Sequence, residues 1–388
     1  MSTISEVERT PWWRVPLIAV ALSLLVGVVL LAFSWPAVNA EPKDLPIGIV
    51  GSADQIAQVS DAIDDQSDGA ITLIEYDDRD EAVAAIEHRS AYGAIVFPSS
   101  EGEAPEMLTA TAASPVVAQM LQGVAQQQQA QIDATIHSTI ETKLAGLQES
   151  FAAQMKAALQ AVMSGQAPPS PPTEGAAPIS IPTITVTVTD IVPLADSDPR
   201  GAGLTAAMFP MIIGGMIGGI AITLLVKPGG SRRVVAVVLY AAAAGLVLAG
   251  ILQGLYGALQ GNYGLNAAAI ALSIAAISGT ITGLAGLIGP AGVGVGAAFT
   301  MLIANPISAA TTPVEFLPAP WGAIGQGLPP GAAAALLRNL SYFPDADTGL
   351  SWLVLGLWAV GGLALTLVDV PGRRLAAGET AAEHPLTV

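Results

Sequence analysis

Three groups of residues in this 388-residue chain have types and spacings that could do chemistry. The first is rich in oxygen donors. Asp64, Gln66, Asp68, Gly69, Ile71 and Glu75 fall at the spacing of an EF-hand loop, where carboxylates hold calcium around a sharp glycine turn. Gln66 stands where Asp or Asn is usual, Ile71 to Tyr76 alternates like a strand, and no exiting helix follows. A helix end, an Asp-Gly turn and the next strand explain the run better. No metal is expected, and Asp64, Asp68 and Glu75 are the candidates if one binds. The second group is basic: Lys227, Arg232 and Arg233 share one short loop. Their side chains could pair with acidic groups on a partner protein, or set membrane orientation and meet anionic lipid. The third lies between Asn305 and Phe343, where six prolines interrupt an apolar stretch carrying Glu315, Trp321 and Arg338.

Other chemistries are excluded or unsupported. The chain has no cysteine, so it has neither disulfides nor thiolate metal sites. His88 and His137 stand alone, with no catalytic constellation around them. No G-x-x-x-x-G-K-[ST] phosphate loop occurs. The chain is therefore not expected to be an enzyme or to hold a cofactor.

The elements that must position these residues are mostly apolar. Between Leu204 and Ala310 the charged side chains are Lys227, Arg232 and Arg233 alone. A bilayer core about 30 Å thick takes about 20 apolar residues as a helix, and backbone groups in lipid must be satisfied within the segment. Residues 204–310 thus read as transmembrane helices 2–5, built from Leu204–Val226, Val234–Leu255, Leu265–Ile288 and the shorter Ala291–Ala304. None has a charged residue inside it, unlike most ion-coupled carriers. Residues 15–38 form transmembrane helix 1, its apolar run flanked by Trp12, Trp13 and Trp35. That run is longer than the 7–15 residues of a signal-peptide core. Residues 349–369 form transmembrane helix 6. Residues 311–348 read as outer re-entrant or surface helices, marked by Pro306, Glu315, Pro318, Trp321, Pro329 and Arg338.

Residues 39–203 form the inserted hydrophilic part. Glu41–Arg200 holds 23 acidic and six basic residues, which accounts for the whole net charge of −17 and argues against nucleic acid as a partner. Within it, residues 45–100 alternate strand and helix patterns, predicting βαβ units and a parallel sheet. Asp77, Asp78, Asp80 and Glu81 suit a helix N-terminus. Residues 115–163 carry an apolar residue every three or four positions, predicting one long helix or a helical hairpin. The stripe fits a dimer stalk or packing on its own domain, and Gly146 is a possible break. Residues 166–182 are a Pro-rich linker, and residues 183–190 a return strand. The fold class is a polytopic α-helical membrane protein with six transmembrane helices and an inserted extracytoplasmic α/β domain carrying a long helix.

Arg9 and Arg14, then Lys227, Arg232 and Arg233, then Arg373 and Arg374 all fall on one side if six helices span. That side is the cytoplasm. It holds an elbow at residues 1–14 and a tail at residues 370–388, in a multi-pass protein of the cell membrane.

Leu45-Pro-Ile-Gly-Ile-Val50, Asp80-Glu-Ala-Val-Ala-Ala-Ile86, Tyr92-Gly-Ala-Ile-Val-Phe97, Asn305-Pro-Ile-Ser308, Glu315-Phe-Leu-Pro318, Trp321 and Leu328-Pro-Pro-Gly331 occur in this order within one helix, a large external domain and five helices. This layout resembles a type-2 ABC exporter permease, in the branch related to the phage infection protein. The resemblance implies a permease half that pairs with itself or a related half and is driven by a separate ABC ATPase subunit. It would move a hydrophobic or amphipathic substrate outward, with Lys227, Arg232 and Arg233 as the ATPase-coupling loop. The alternative is a non-transporting membrane protein whose external domain binds a partner, as an envelope assembly or secretion factor or a phage receptor does.

Overall fold

The computed structural model describes residues 14–67, 69–98, 104–164, 184–226 and 229–368. Helix α1 (Arg14–Val38) leads into β1 (Leu45–Val50), α2 (Ala53–Ser67), β2 (Ile71–Glu75), α3 (Arg79–Glu87), β3 (Gly93–Val96) and β4 (Glu106–Thr109). After α4 (Pro115–Met163) the chain returns as β5 (Thr187–Asp190). The five strands lie in the order β2-β1-β3-β4-β5. The parallel expectation holds for β1, which pairs Leu45 with Ile71 of β2 and Gly48 with Ala94 of β3. It fails at β4, which runs antiparallel to β3, Gly93 opposite Thr109, so the sheet is mixed. Strand β5 adds to β4 in parallel, Glu106 opposite Thr187. Covered faces explain why β1 is almost continuously apolar. At the start of α3 the acidic cluster caps reciprocally. Asp78 accepts from the Glu81 amide at 2.8 Å, and Glu81 accepts from the Asp77 amide at 2.8 Å.

Helix α4 is a single unbroken helix of 49 residues, about 70 Å long at 1.5 Å per residue. Ser114 caps it, and only its first turns are buried, through Val117, Ala118, Leu121 and Ala125. Gln129 grips the returning chain: its amide donates to the Ile184 carbonyl at 3.0 Å and accepts from the Val186 amide at 2.7 Å. Ile132, Ile136 and Ile140 are half-buried, and beyond them the apolar stripe, including Leu147, Phe151 and Leu159, is exposed. Gly146 lies inside the helix without breaking it. The Pro-rich segment 166–182 lies outside the described residues.

The apolar part consists of α5 (Ala202–Leu225), α6 (Gly230–Ala249), α7 (Tyr263–Ile288), α8 (Pro290–Phe299) and, last, α11 (Gly349–Leu367). Helices α6 and α8 each continue as a wider π turn, Gly250–Leu255 and Thr300–Ala304. Among the described residues, four helices are long and apolar enough to cross a bilayer: α5, α6 with its π turn, α7 and α11. Within α1, Gly27–Pro36 is apolar but shorter, as is Pro290–Ala304. The latter, the shorter fourth segment of the sequence, spans about 22 Å as a helix, against a bilayer core of about 30 Å.

Helix α7 is the axis of the bundle, with α5, α6 and α11 packed around it. Lipid supplies no hydrophobic drive between helices, so close approach and interhelical hydrogen bonds hold them. A Cβ on Gly283 would come within 2.5 Å of the Gly362 carbonyl of α11. Ser278 donates to the Gly215 carbonyl of α5 at 2.8 Å, and Thr282 meets Thr366 of α11 at 3.0 Å. A short 3-10 turn (Val314–Phe316), α9 (Trp321–Gln326) and α10 (Pro329–Tyr342) fill the stretch before α11.

Candidate functional site

The broken segment before α11 is where the sheet unit and the bundle meet. Phe316, Phe343 and Ala346 belong to the same buried core as Leu45, Ile86 and Leu108 of the sheet unit. Polar contacts surround that shared core. The Tyr92 hydroxyl donates to Glu315 at 2.8 Å, and the Lys43 amide donates to the Glu315 carbonyl at 3.1 Å. The Arg89 guanidinium donates to the Asn339 side chain and lies over the Phe343 ring, 5.3 Å from its centroid. A ring nitrogen of His88 sits 2.8 Å from the Asp345 carbonyl. Burial, reinforced by the charge of Glu315, raises the pKa of Tyr92 above the usual phenol value, so this hydroxyl stays a donor.

The same segment holds the bundle on its other side. Tyr342 donates to the Ala258 carbonyl at 3.1 Å, Trp358 of α11 donates to the Gly327 carbonyl at 3.0 Å, and Arg338 donates to the Ala310 carbonyl at 3.2 Å. Burial, and then the nearby Arg89 charge, lower the Arg338 pKa to about 10, so it remains a cation at neutral pH. Of the residues marked from sequence, Glu315 and Arg338 come together at this junction. Pro306 follows the π turn after α8, Pro318 accepts the turn bond from Trp321, and Pro329 opens α10. Trp321 is exposed and takes no part in the junction.

Sequence reasoning missed Arg89, Tyr92, Asn339 and Phe343. Arg89 sits at φ 59°, a left-handed position that favours glycine. An arginine held there points to a side chain that is needed, but the backbone angle is invisible in the sequence.

The basic loop is anchored at the opposite end of α5. Arg233 donates to the Thr223 carbonyl at 3.0 Å and to the Val226 carbonyl at 3.4 Å, satisfying carbonyls that the end of α5 leaves open. Arg232 is exposed, and Lys227 lies outside the described residues. A Cβ on Gly230 would come within 2.5 Å of the Thr366 carbonyl, so the loop packs against the end of α11 as well.

The calcium pattern is divided between elements. Asp64 lies on α2, which continues to Ser67, and Glu75 lies on β2, while Asp68 is outside the described residues. This is the helix, turn and strand of the plainer reading. Among the described residues no group of three or more His, Cys, Asp or Glu side chains could hold a metal.

No curated protein and no solved structure matches this chain. The model of the ABC-2 family transporter proteins matches residues 14–228, which covers α1, the whole sheet unit and α5. That is more than half of the chain, so this protein belongs to the ABC-2 family of transporter membrane subunits.

Proposed function

We propose that the protein is the membrane permease of an ABC exporter that moves a hydrophobic or amphipathic substrate outward. Membership in the family places it in a membrane and implies an ATPase subunit. Direction, substrate class, membership in the branch related to the phage infection protein, and pairing with a second copy or a related half are our reading. So is the assignment of ATP hydrolysis to the partner subunit and not to this chain, which rests on the chain's lack of a phosphate loop.

Six spans put the sheet unit and the segment 311–348 outside and both termini in the cytoplasm. In that arrangement α1 and α8, with its π turn, complete the set begun by the four long helices. The observation that carries the reading is the loop between α5 and α6. It joins two spans, and Gly230 seats it on a third. A push there can tilt α5, α6 and α11 together. Arg233 is committed to closing α5, so exposed Arg232 is the residue of this pair free to meet an acidic partner.

Co-purification with an ATPase from membranes tests the reading. Arg232→Ala should leave insertion intact and lower substrate-stimulated ATP hydrolysis at least fivefold. Arg233→Ala should also lower yield, because it opens the end of α5. Full stimulated hydrolysis in Arg232→Ala at normal membrane levels removes that residue from coupling. A second reading, a non-transporting protein that binds an envelope partner, is favoured by one observation: the distal part of α4 exposes Phe151, Met155 and Leu159.

A further inference from the structure

A small cavity of about 90 Å³ lies between the sheet unit and the start of α5, lined by Ser114, Leu194, Leu204, Arg338 and Tyr342. A larger cleft of about 270 Å³ runs between the ends of α1 and α5, lined by Phe33, Met208, Phe209, Asn305 and Leu317. The two share Thr205, Thr311 and Thr312 in their linings and so adjoin. The Ala310 carbonyl that receives Arg338 belongs to a residue lining the larger cleft. Together these spaces reach the lower end of the usual ligand-pocket range, about 300–1,000 Å³.

Arg338 is under-used. It carries five N–H donors, yet its one hydrogen-bond acceptor among the described residues is Ala310. No carboxylate lies within ion-pair reach, since the one ion pair among the described residues joins Arg79 and Glu106. Arg89 adds a second positive charge nearby, and Glu315 is held by Tyr92. The hydroxyls of Thr205, Thr311 and Thr312 make no hydrogen bond among the described residues. The pair of spaces is therefore cationic and hydroxyl-lined at one end and apolar at the other.

We propose that these adjoining spaces open into one another past the shared threonines and bind an anionic amphiphile, with its carboxylate or phosphate head on Arg338 and its chain against Phe33, Met208, Phe209 and Leu317. Charge complementarity selects the head, and the apolar wall selects the chain. As the substrate class of the exporter this rests on the permease reading, whereas the binding itself does not.

The test uses the full chain in nanodiscs of neutral phosphatidylcholine. The probes are palmitic acid with a diazirine near its chain end and the corresponding fatty alcohol. After photolysis, the acid should label the peptides holding Phe33, Phe209 or Leu317 at least tenfold more than the alcohol. Arg338→Gln should reduce that labelling at least tenfold, and Arg338→Lys should keep most of it. A diazirine-tailed phosphatidylglycerol in a second arm separates a phosphate head from a carboxylate, and Arg338-dependent labelling by either supports the site. Thr205→Trp, which blocks the shared throat and leaves Arg338 intact, should also abolish labelling. It decides the matter if Arg338→Gln fails to fold. Equal labelling by acid and alcohol, or labelling unchanged in the folded variants, overturns the proposal. A chain that binds the acid in this way but purifies with no ATPase keeps the site and loses the permease reading.

Discussion

Arg89 joins two halves of the molecule from a strained backbone position. Its guanidinium makes a hydrogen bond to Asn339 and a cation–π contact to Phe343, both on the segment before α11. Contacts of this kind contribute about 1–3 kcal/mol together. Arg89→Ala should lower the apparent unfolding temperature of the purified protein by several degrees, and Tyr92→Phe, which strips Glu315 of its donor, by a similar amount. A thermal melt in detergent checks both, and unchanged melting in both variants would show that the junction is held elsewhere. At this scale the sequence was legible only where partners are near in the chain. The acidic run at Asp77–Glu81 announced the cap of α3, and the reciprocal bonds confirm it. The pairing of Tyr92 with Glu315 spans more than two hundred residues, and no local pattern encodes it.

Among the elements, α7 is the one that tolerates least. Its glycines meet the backbone of α11, and a Cβ on Gly283 already crowds the Gly362 carbonyl. Overpacking such a contact costs about 1–3 kcal/mol or more. Gly283→Leu should therefore cut the yield of monodisperse protein several-fold, whereas Gly294→Leu, where a Cβ meets open space, should not. Size-exclusion profiles of the two variants provide the comparison. Element identity was largely readable because apolar runs of this length have few alternatives. Strand β4 was not. Glu106–Thr109 has four residues and no alternation to mark it, and its burial comes from pairing with β3 and β5. The long stripe of α4 was readable, but its continuity was not, since Gly146 is as compatible with a hairpin as with an open helix face. The shortness of the α8 segment was readable from its short apolar run, but its change to a π turn at Thr300 was not.

For the whole molecule, the positions of the basic residues support the proposed orientation, with both termini in the cytoplasm. Ser231 stands beside the basic loop at the start of α6, and Gln148 is exposed on distal α4. In this cysteine-free chain either position gives a clean reporter. An impermeant thiol reagent should label Gln148→Cys on intact cells and spare Ser231→Cys until the membrane is opened. Labelling of Ser231→Cys from outside would reverse the topology.

The shared core has a consequence for how the protein is made. The sheet unit is synthesised early, yet Phe316, Phe343 and Ala346, which complete its interior, lie far downstream of β5. At roughly 5–20 residues per second, the ribosome reaches Phe316 on the order of 6–25 s after β5. In the proposed topology the nascent unit has, during that interval, an open apolar side on the far face of the membrane. Its maturation thus waits on the insertion of the later helices. A chain stalled or truncated before Phe316 would leave a half-closed domain for envelope chaperones and proteases to handle.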